Sequence, residues 1–97
     1  MKILAIEKDA AGLDEVKLKN LLVTEAEHVW NLYKDGTVRE IYFTQKDHRA
    51  VLILECEDGS SAEKILNTLP LVKENQIRFE IFPLKAYDGF ERLFKNY

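Results

Sequence analysis

Five consecutive apolar residues, Ala50-Val51-Leu52-Ile53-Leu54, carry no charge at either parity, and no other stretch constrains the fold as strongly. A strand with one face on a core and the other in water alternates apolar and polar side chains. A run that is apolar at every position therefore belongs to a strand covered on both faces. Ile3-Leu4-Ala5-Ile6, within a strand predicted over Lys2 to Glu7, reads the same way. Two further strand-like segments differ: Thr37 to Thr44 contains Arg39 and Glu40, and Gln76 to Leu84 contains Arg78 and Glu80. Charges inside a strand mark an exposed edge. The expected sheet thus has two apolar strands at its centre and two charged ones outside.

The segments between the strands supply the rest of the order. From Leu13 to Tyr33 apolar residues recur every three or four positions, and Asp35-Gly36 provides a helix stop. Gln45-Lys46-Asp47-His48 has the length of a hairpin loop before the strand Arg49 to Cys56. Ser60 and Ser61 offer capping hydroxyls for a second helix through Ile65, Leu66 and Leu69, which Pro70 is expected to end. Ile77, Phe79 and Ile81 share one face of the last strand. Tyr87, Phe90, Leu93 and Phe94 then repeat at helical spacing in a tail. Strand, helix, strand, strand, helix, strand is the α+β arrangement called ferredoxin-like, a βαββαβ unit with an antiparallel four-stranded sheet, here with an extra C-terminal helix.

Length and charge narrow the possibilities. Ninety-seven residues suit one domain, 1–97, and no linker or repeat divides them. Fourteen basic against seventeen acidic residues leave a net charge of −3, which argues against a nucleic-acid partner. The single cysteine, Cys56, excludes a disulfide framework and a thiolate-rich zinc site, and reads as a small buried residue. No apolar run is long enough for a membrane span and no leader precedes the first strand, so a cytoplasmic location is expected. Two helices cover one face of a four-stranded sheet. The second apolar face of Ala50–Leu54 is expected to meet a second copy, sheet to sheet, as a homodimer. The tail folding back over that face is the competing arrangement, and the tail can also do both, clasping the partner through Tyr87, Phe90 and Phe94.

Candidate chemistry centres on the first helix. Leu18, Leu22, Val29 and Leu32 define its apolar stripe, and Glu25 falls inside that stripe. A carboxylate placed among leucines is either matched by a cation or kept protonated, and in the second state it serves as a general acid or base. His28, three residues on, can line the same side as a proton shuttle. Two side chains make a poor metal site, so no metal is expected. Arg39 and Arg78 can each pair with Glu25 or grip an anionic substrate, although strand parity alone does not say which face they take. Tyr42 and Trp30 can wall a pocket or join the core. His48 reads as a solvated loop residue. Glu7 and Glu55 end the two central strands, which are expected to bring both carboxylates to one edge of the sheet. No Gly-rich phosphate loop, GxSxG elbow or CxxC pair occurs, and no cofactor is expected.

From Leu21 to Leu84 the chain resembles the muconolactone isomerase family of dimeric α+β barrels. The resemblance rests on Glu25, on Gly36 followed by Arg39, on Leu69-Pro70-Leu71, and on Ile77, Glu80 and Leu84. It implies a protomer of this fold whose sheets pack across a dimer, with larger rings in some members. It further implies the movement of a proton between carbons of an unsaturated lactone, with Glu25 as base or acid and Arg39 as carboxylate clamp. Arg49 to Leu54, nearly all aliphatic, and the polar Lys73-Glu74-Asn75 depart from the family's aromatic stretches and imply a different pocket lining.

The leading functional reading is a dimer binding a small anionic or carbonyl-bearing molecule in a helix-to-sheet cleft. There it would carry out a cofactor-free proton shift through Glu25, with Arg39 and His28. A non-catalytic binding or sensor module is the alternative. A small monooxygenase, haem-linked or cofactor-independent, is a further one that rests on fold analogy alone.

Overall fold

The computed structural model describes residues 1–94. In chain order the elements are β1 (Lys2–Asp9), α1 (Glu15–Lys34), β2 (Val38–Phe43), β3 (Ala50–Glu55), α2 (Gly59–Leu66), α3 (Pro70–Lys73) and β4 (Ile77–Pro83), followed by a 3₁₀ turn, Gly89–Leu93. The strands form one sheet in the order β2-β3-β1-β4, every neighbouring pair antiparallel. The strands that contain the uncharged runs Ile3–Ile6 and Ala50–Leu54 are central and the other two are edges, as the apolar patterning requires.

Local chemistry sets the boundaries. Asp14 caps α1, its Oδ1 accepting the N–H groups of Val16 and Lys17 at 3.0 and 3.3 Å. At the other end Gly36 takes φ +88°, where a side chain would be strained, and its N–H donates to the Tyr33 carbonyl at 3.2 Å. The cap of α2 is Asp58, which accepts the Ser61 N–H at 2.7 Å, rather than a serine hydroxyl. The second helix ends at Leu66 with Asn67 as its C-cap, short of the expected Leu69, so Pro70 starts a helix and does not stop one. Leu69 before it is extended (ψ 133°), and the fixed proline φ then opens the one-turn α3 at its first position. Gln76, 1% exposed, ties this region to the start of α1. Its Oε1 accepts the Asp14 N–H at 2.8 Å, and its Nε2 donates to the carbonyls of Gly12 and Glu74 at 3.1 and 2.9 Å. Both N–H donors and the oxygen of that buried amide are thereby engaged.

The core lies between the sheet and α2. Ile3 and Ala5 of β1, Leu52 and Leu54 of β3 and Val38 of β2 meet Ala62 and Leu66 of α2, with Cys56 and Leu69. On the other face no helix covers Leu4, Ile6, Val51 and Ile53, which remain half-buried. The tail does not cover them either. The expected C-terminal helix is only the 3₁₀ turn, and Tyr87, Phe90, Leu93 and Phe94 are 65–83% exposed. A helix that short gains little from its own backbone bonds and needs a surface to pack on. The radius of gyration, 16.1 Å against about 13 Å for a compact domain of this length, reflects a tail that runs outward.

The expected convergence of Glu7 and Glu55 on one edge of the sheet fails for a topological reason. β1 and β3 run antiparallel, so Glu55 lies opposite Lys2 while Glu7 sits beside Phe79 of β4 at the far end. Glu55 instead binds the N-terminal ammonium at 2.7 Å.

Candidate functional site

No residue of α1 is fully buried, in contrast to α2. Beneath α1 the sheet presents the small Ala50 beside Leu52, and a cavity of about 710 Å³ remains between helix and sheet. Leu18, Leu22, Glu25 and Val29 form its roof, so the stripe read as core faces a cavity and Leu22 stays 46% exposed. Phe79 and Ile77 of β4, Leu69 and Leu71 close one side, and Trp30 and Tyr33 flank the mouth. Volumes of a few hundred Å³ lined mainly by apolar side chains suit small organic ligands.

The register of β2 shapes the remaining wall. Val38 pairs with Leu54, but Glu40 pairs with Ile53, so Arg39 is the extra residue of a β-bulge. Beyond the bulge, Ile41 and Phe43 fall opposite Leu52 and Ala50 on the cavity side. Glu40 and Tyr42 pair with Ile53 and Val51 on the open face and border the cavity from the outer edge of the strand.

Glu25 is half-buried under α1, and its Oε1 accepts the Leu71 N–H at 3.0 Å. Burial pushes its carboxyl above the usual glutamate value. The Leu71 hydrogen bond and the nearby His28 oppose that rise, and Glu7 adds to it. Its partner is thus a backbone amide, not an arginine. His28 is half-buried, with Nε2 3.0 Å from Thr68 Oγ1. Because that hydroxyl donates to the Ile65 carbonyl at 2.6 Å, it accepts from the imidazole, which places the ring proton on Nε2. His28 is adjacent to Glu25 electrostatically but is not part of the cavity wall.

Arg39 borders the cavity, its Nε donating to the Gly36 carbonyl at 2.6 Å. Tyr42 also borders it and donates to Glu40 Oε1 at 2.7 Å, an interaction that raises the phenol's pKa. Arg78 is not brought to this group. It faces a second depression of about 320 Å³, formed with Glu63, Asn67 and Phe79, and its strand position lies opposite Lys8. Glu25, Arg39 and Tyr42 are therefore gathered around one cavity, while His28 stands behind it and Arg78 lies elsewhere.

Three polar residues of this wall are not among the candidates read from the sequence: Glu7, His48 and Glu40, the last already placed at the strand edge. Glu7 extends from the helix side of β1, accepting the Ala50 N–H at 3.0 Å and lying 3.6 Å from Arg49 Nη1. His48, at φ 54° in the hairpin, stacks on Phe43 with ring centroids 3.9 Å apart. The parity shared by Ile3, Ala5 and Glu7 was the available signal for the first. For the second, a left-handed histidine conformation leaves no mark in sequence. Among the described residues no group of three His, Cys, Asp or Glu side chains is placed to hold a metal ion, and no helix is long and apolar enough to cross a membrane.

A scan against protein-family models finds no match, and a search of curated proteins finds none. Solved structures do match. A crystal structure of muconolactone isomerase superposes with a TM-score of 0.73 at 19% identity, covering 92% of this chain and 93% of that one. A 5-chloro-2-hydroxyhydroquinone dehydrochlorinase from Burkholderia phenoliruptrix AC1100, in complex with 2,5-dihydroxybenzoquinone, gives 0.61 at 18% identity over 92% and 98%. The chain has the fold of these proteins, as the resemblance in its sequence implies.

Proposed function

We propose that this chain binds a small unsaturated molecule in the cavity under α1 and moves a proton on it through Glu25. The observation that supports this reading is a carboxyl group held in a largely apolar cavity, where burial raises its pKa. The carboxylate form of such a group takes a proton from a carbon next to a carbonyl, and the carboxylic acid so formed returns it to the far end of the conjugated system, with no net change in atoms. The enolate formed between the two steps needs a positive charge or a donor near its oxygen. Arg39 is the cation on the cavity border; the Tyr42 hydroxyl near it would have to leave Glu40 to serve as that donor. His28 acts as a positioning residue, three residues along α1 from Glu25, through its hydrogen bond to Thr68. The structural neighbours, named as a lactone isomerase and a hydroquinone dehydrochlorinase, are consistent with chemistry on small unsaturated rings. The working unit is a cytoplasmic homodimer, joined through the open faces of the two sheets and clasped by the tails.

Deuterium uptake from heavy water into a butenolide probe, followed by proton NMR, tests the reading. Glu25→Gln is expected to slow uptake by ~100-fold, the low end of a general base's contribution, and Arg39→Ala to slow it by ~10-fold. Equal rates in wild type and Glu25→Gln would remove the catalytic role.

One observation favours the non-catalytic binding module. Glu25 Oε1 already serves the backbone of α3, a structural task that a carboxyl can perform without moving a proton. Unchanged probe affinity in Glu25→Gln, with no exchange in either protein, would favour that module.

A further inference from the structure

The charges around the cavity are unequal. Glu7, Glu25 and Glu40 stand on its wall or border, against the single guanidinium of Arg39. Arg39 also lies near Glu55, on which its charge acts, and its Nε is given to the Gly36 carbonyl. Arg49, the next cation, is bound to Asp9 in a two-pronged pair and lies 3.6 Å from Glu7. An anionic ligand entering this space leaves water and gains one shared cation while facing several carboxylates, a poor exchange in a low-dielectric site.

Glu7 offers something different. Its side chain is 17% exposed, it sits on the helix side of β1, and the Ala50 N–H of β3 and the Arg49 guanidinium just before that strand hold it in place. A carboxylate has about four acceptor positions, of which the Ala50 N–H takes one, while Arg49 at 3.6 Å is an ion pair too long for a hydrogen bond. The remaining capacity matches a hydroxyl donor, and O–H···O⁻ bonds are among the strong ones. Around it the wall is aromatic and aliphatic, with Phe43, Ala50, Leu52 and Phe79.

We infer that the cavity takes a neutral, hydroxyl-bearing ring in preference to a carboxylate, and that Glu7 is the specificity residue that receives the ring hydroxyl. This rests on the cavity being a ligand site, as proposed above. It replaces the carboxylate clamp that the family resemblance implies for Arg39.

Three probes separate the possibilities by calorimetry and amide NMR on the intact protein: a naphthalenediol, its dimethyl ether and the corresponding dihydroxynaphthoate. The diol is expected to bind at least ~10-fold more tightly than either of the others, the equivalent of one hydrogen bond to a charged group. In Glu7→Gln the diol is expected to fall toward the ether and the naphthoate to gain. A naphthoate that binds most tightly, or a diol no tighter than its ether, overturns the inference and leaves the cavity reading intact. An unchanged ranking in Glu7→Gln overturns the role given to that residue. Should the variant fail to fold, the wild-type ranking decides. Absence of binding by all three probes overturns the inference and the ligand cavity together.

Discussion

The Leu71 N–H donates to Glu25 Oε1 across 3.0 Å and joins the middle of α1 to the first turn of α3. Leu69, at the cap position of α3, has no side-chain oxygen to offer, so Glu25, forty-six positions before Leu71, supplies it. The same bond holds the carboxyl at the cavity roof, and a structural contact thus sets the position of the candidate acid.

The pH dependence of stability should report that carboxyl. Burial raises the folded-state pKa of Glu25 above its unfolded value near 4.5, so folding favours the protonated form. Its contribution is fully present below about pH 4.5 and is lost as pH rises through the higher folded-state value. Glu25→Gln keeps an acceptor for Leu71 and has no proton to lose. Urea midpoints are expected to show wild type losing stability relative to Glu25→Gln across that interval and running parallel above it. A constant gap at every pH would contradict the raised pKa.

Glu25→Ala should act through α3. Losing the acceptor for the Leu71 amide is expected to cost ~1 kcal/mol, as for other lost caps. In a domain of this size that lowers the melting temperature by roughly 4–8 °C. Glu25→Gln at low pH should show little of this loss, and thermal melts of the two variants side by side distinguish cap from charge.

Gln76→Ala removes three hydrogen bonds at once and leaves the Asp14 N–H and the Gly12 carbonyl without this partner. A cost of ~2 kcal/mol is expected. Hydrogen exchange should accelerate first at the start of α1 and in the α3–β4 connection, because the amide ties those two places together. Uniform acceleration over the whole sheet would indicate a different role.

The open face carries the dimer reading. Ile53 lies at its centre, paired with Leu4 and Glu40. Ile53→Glu places a charge there and is expected to give a folded monomer by light scattering, with wild type at twice the mass. A wild-type monomer at micromolar concentration would end the reading.

Tyr87 and Phe90 meet edge to face at 4.9 Å between ring centroids, yet both are largely exposed. If they clasp a partner, Tyr87→Ser together with Phe90→Ser should weaken the dimer by ~30-fold or more, as loss of aromatic anchors does elsewhere. The unfolding midpoint measured under monomeric conditions should barely move. Sedimentation equilibrium checks the first effect and dilute-solution melts the second.

Much of this was legible from local chemistry. Element order and the central and edge strands follow from which runs lack charge, and Asp35-Gly36 marks the end of α1 because glycine alone takes φ +88° without strain. Glu25 stood out because a carboxylate interrupts an apolar stripe. Periodicity reports which side chains share a face, and these features need nothing more.

What lies opposite each face came only with the tertiary structure. A single extra residue at Arg39 shifts the parity of β2, turning Ile41 and Phe43 toward the cavity and Tyr42 to the open side. Antiparallel pairing sends Glu7 and Glu55 to opposite ends of the sheet and brings Glu7 to the wall shared with Glu25. Chain direction, bulges and the height at which α1 rests above the sheet arise from contacts between residues far apart in sequence. No local pattern encodes such distances, because they follow from how whole faces fit together.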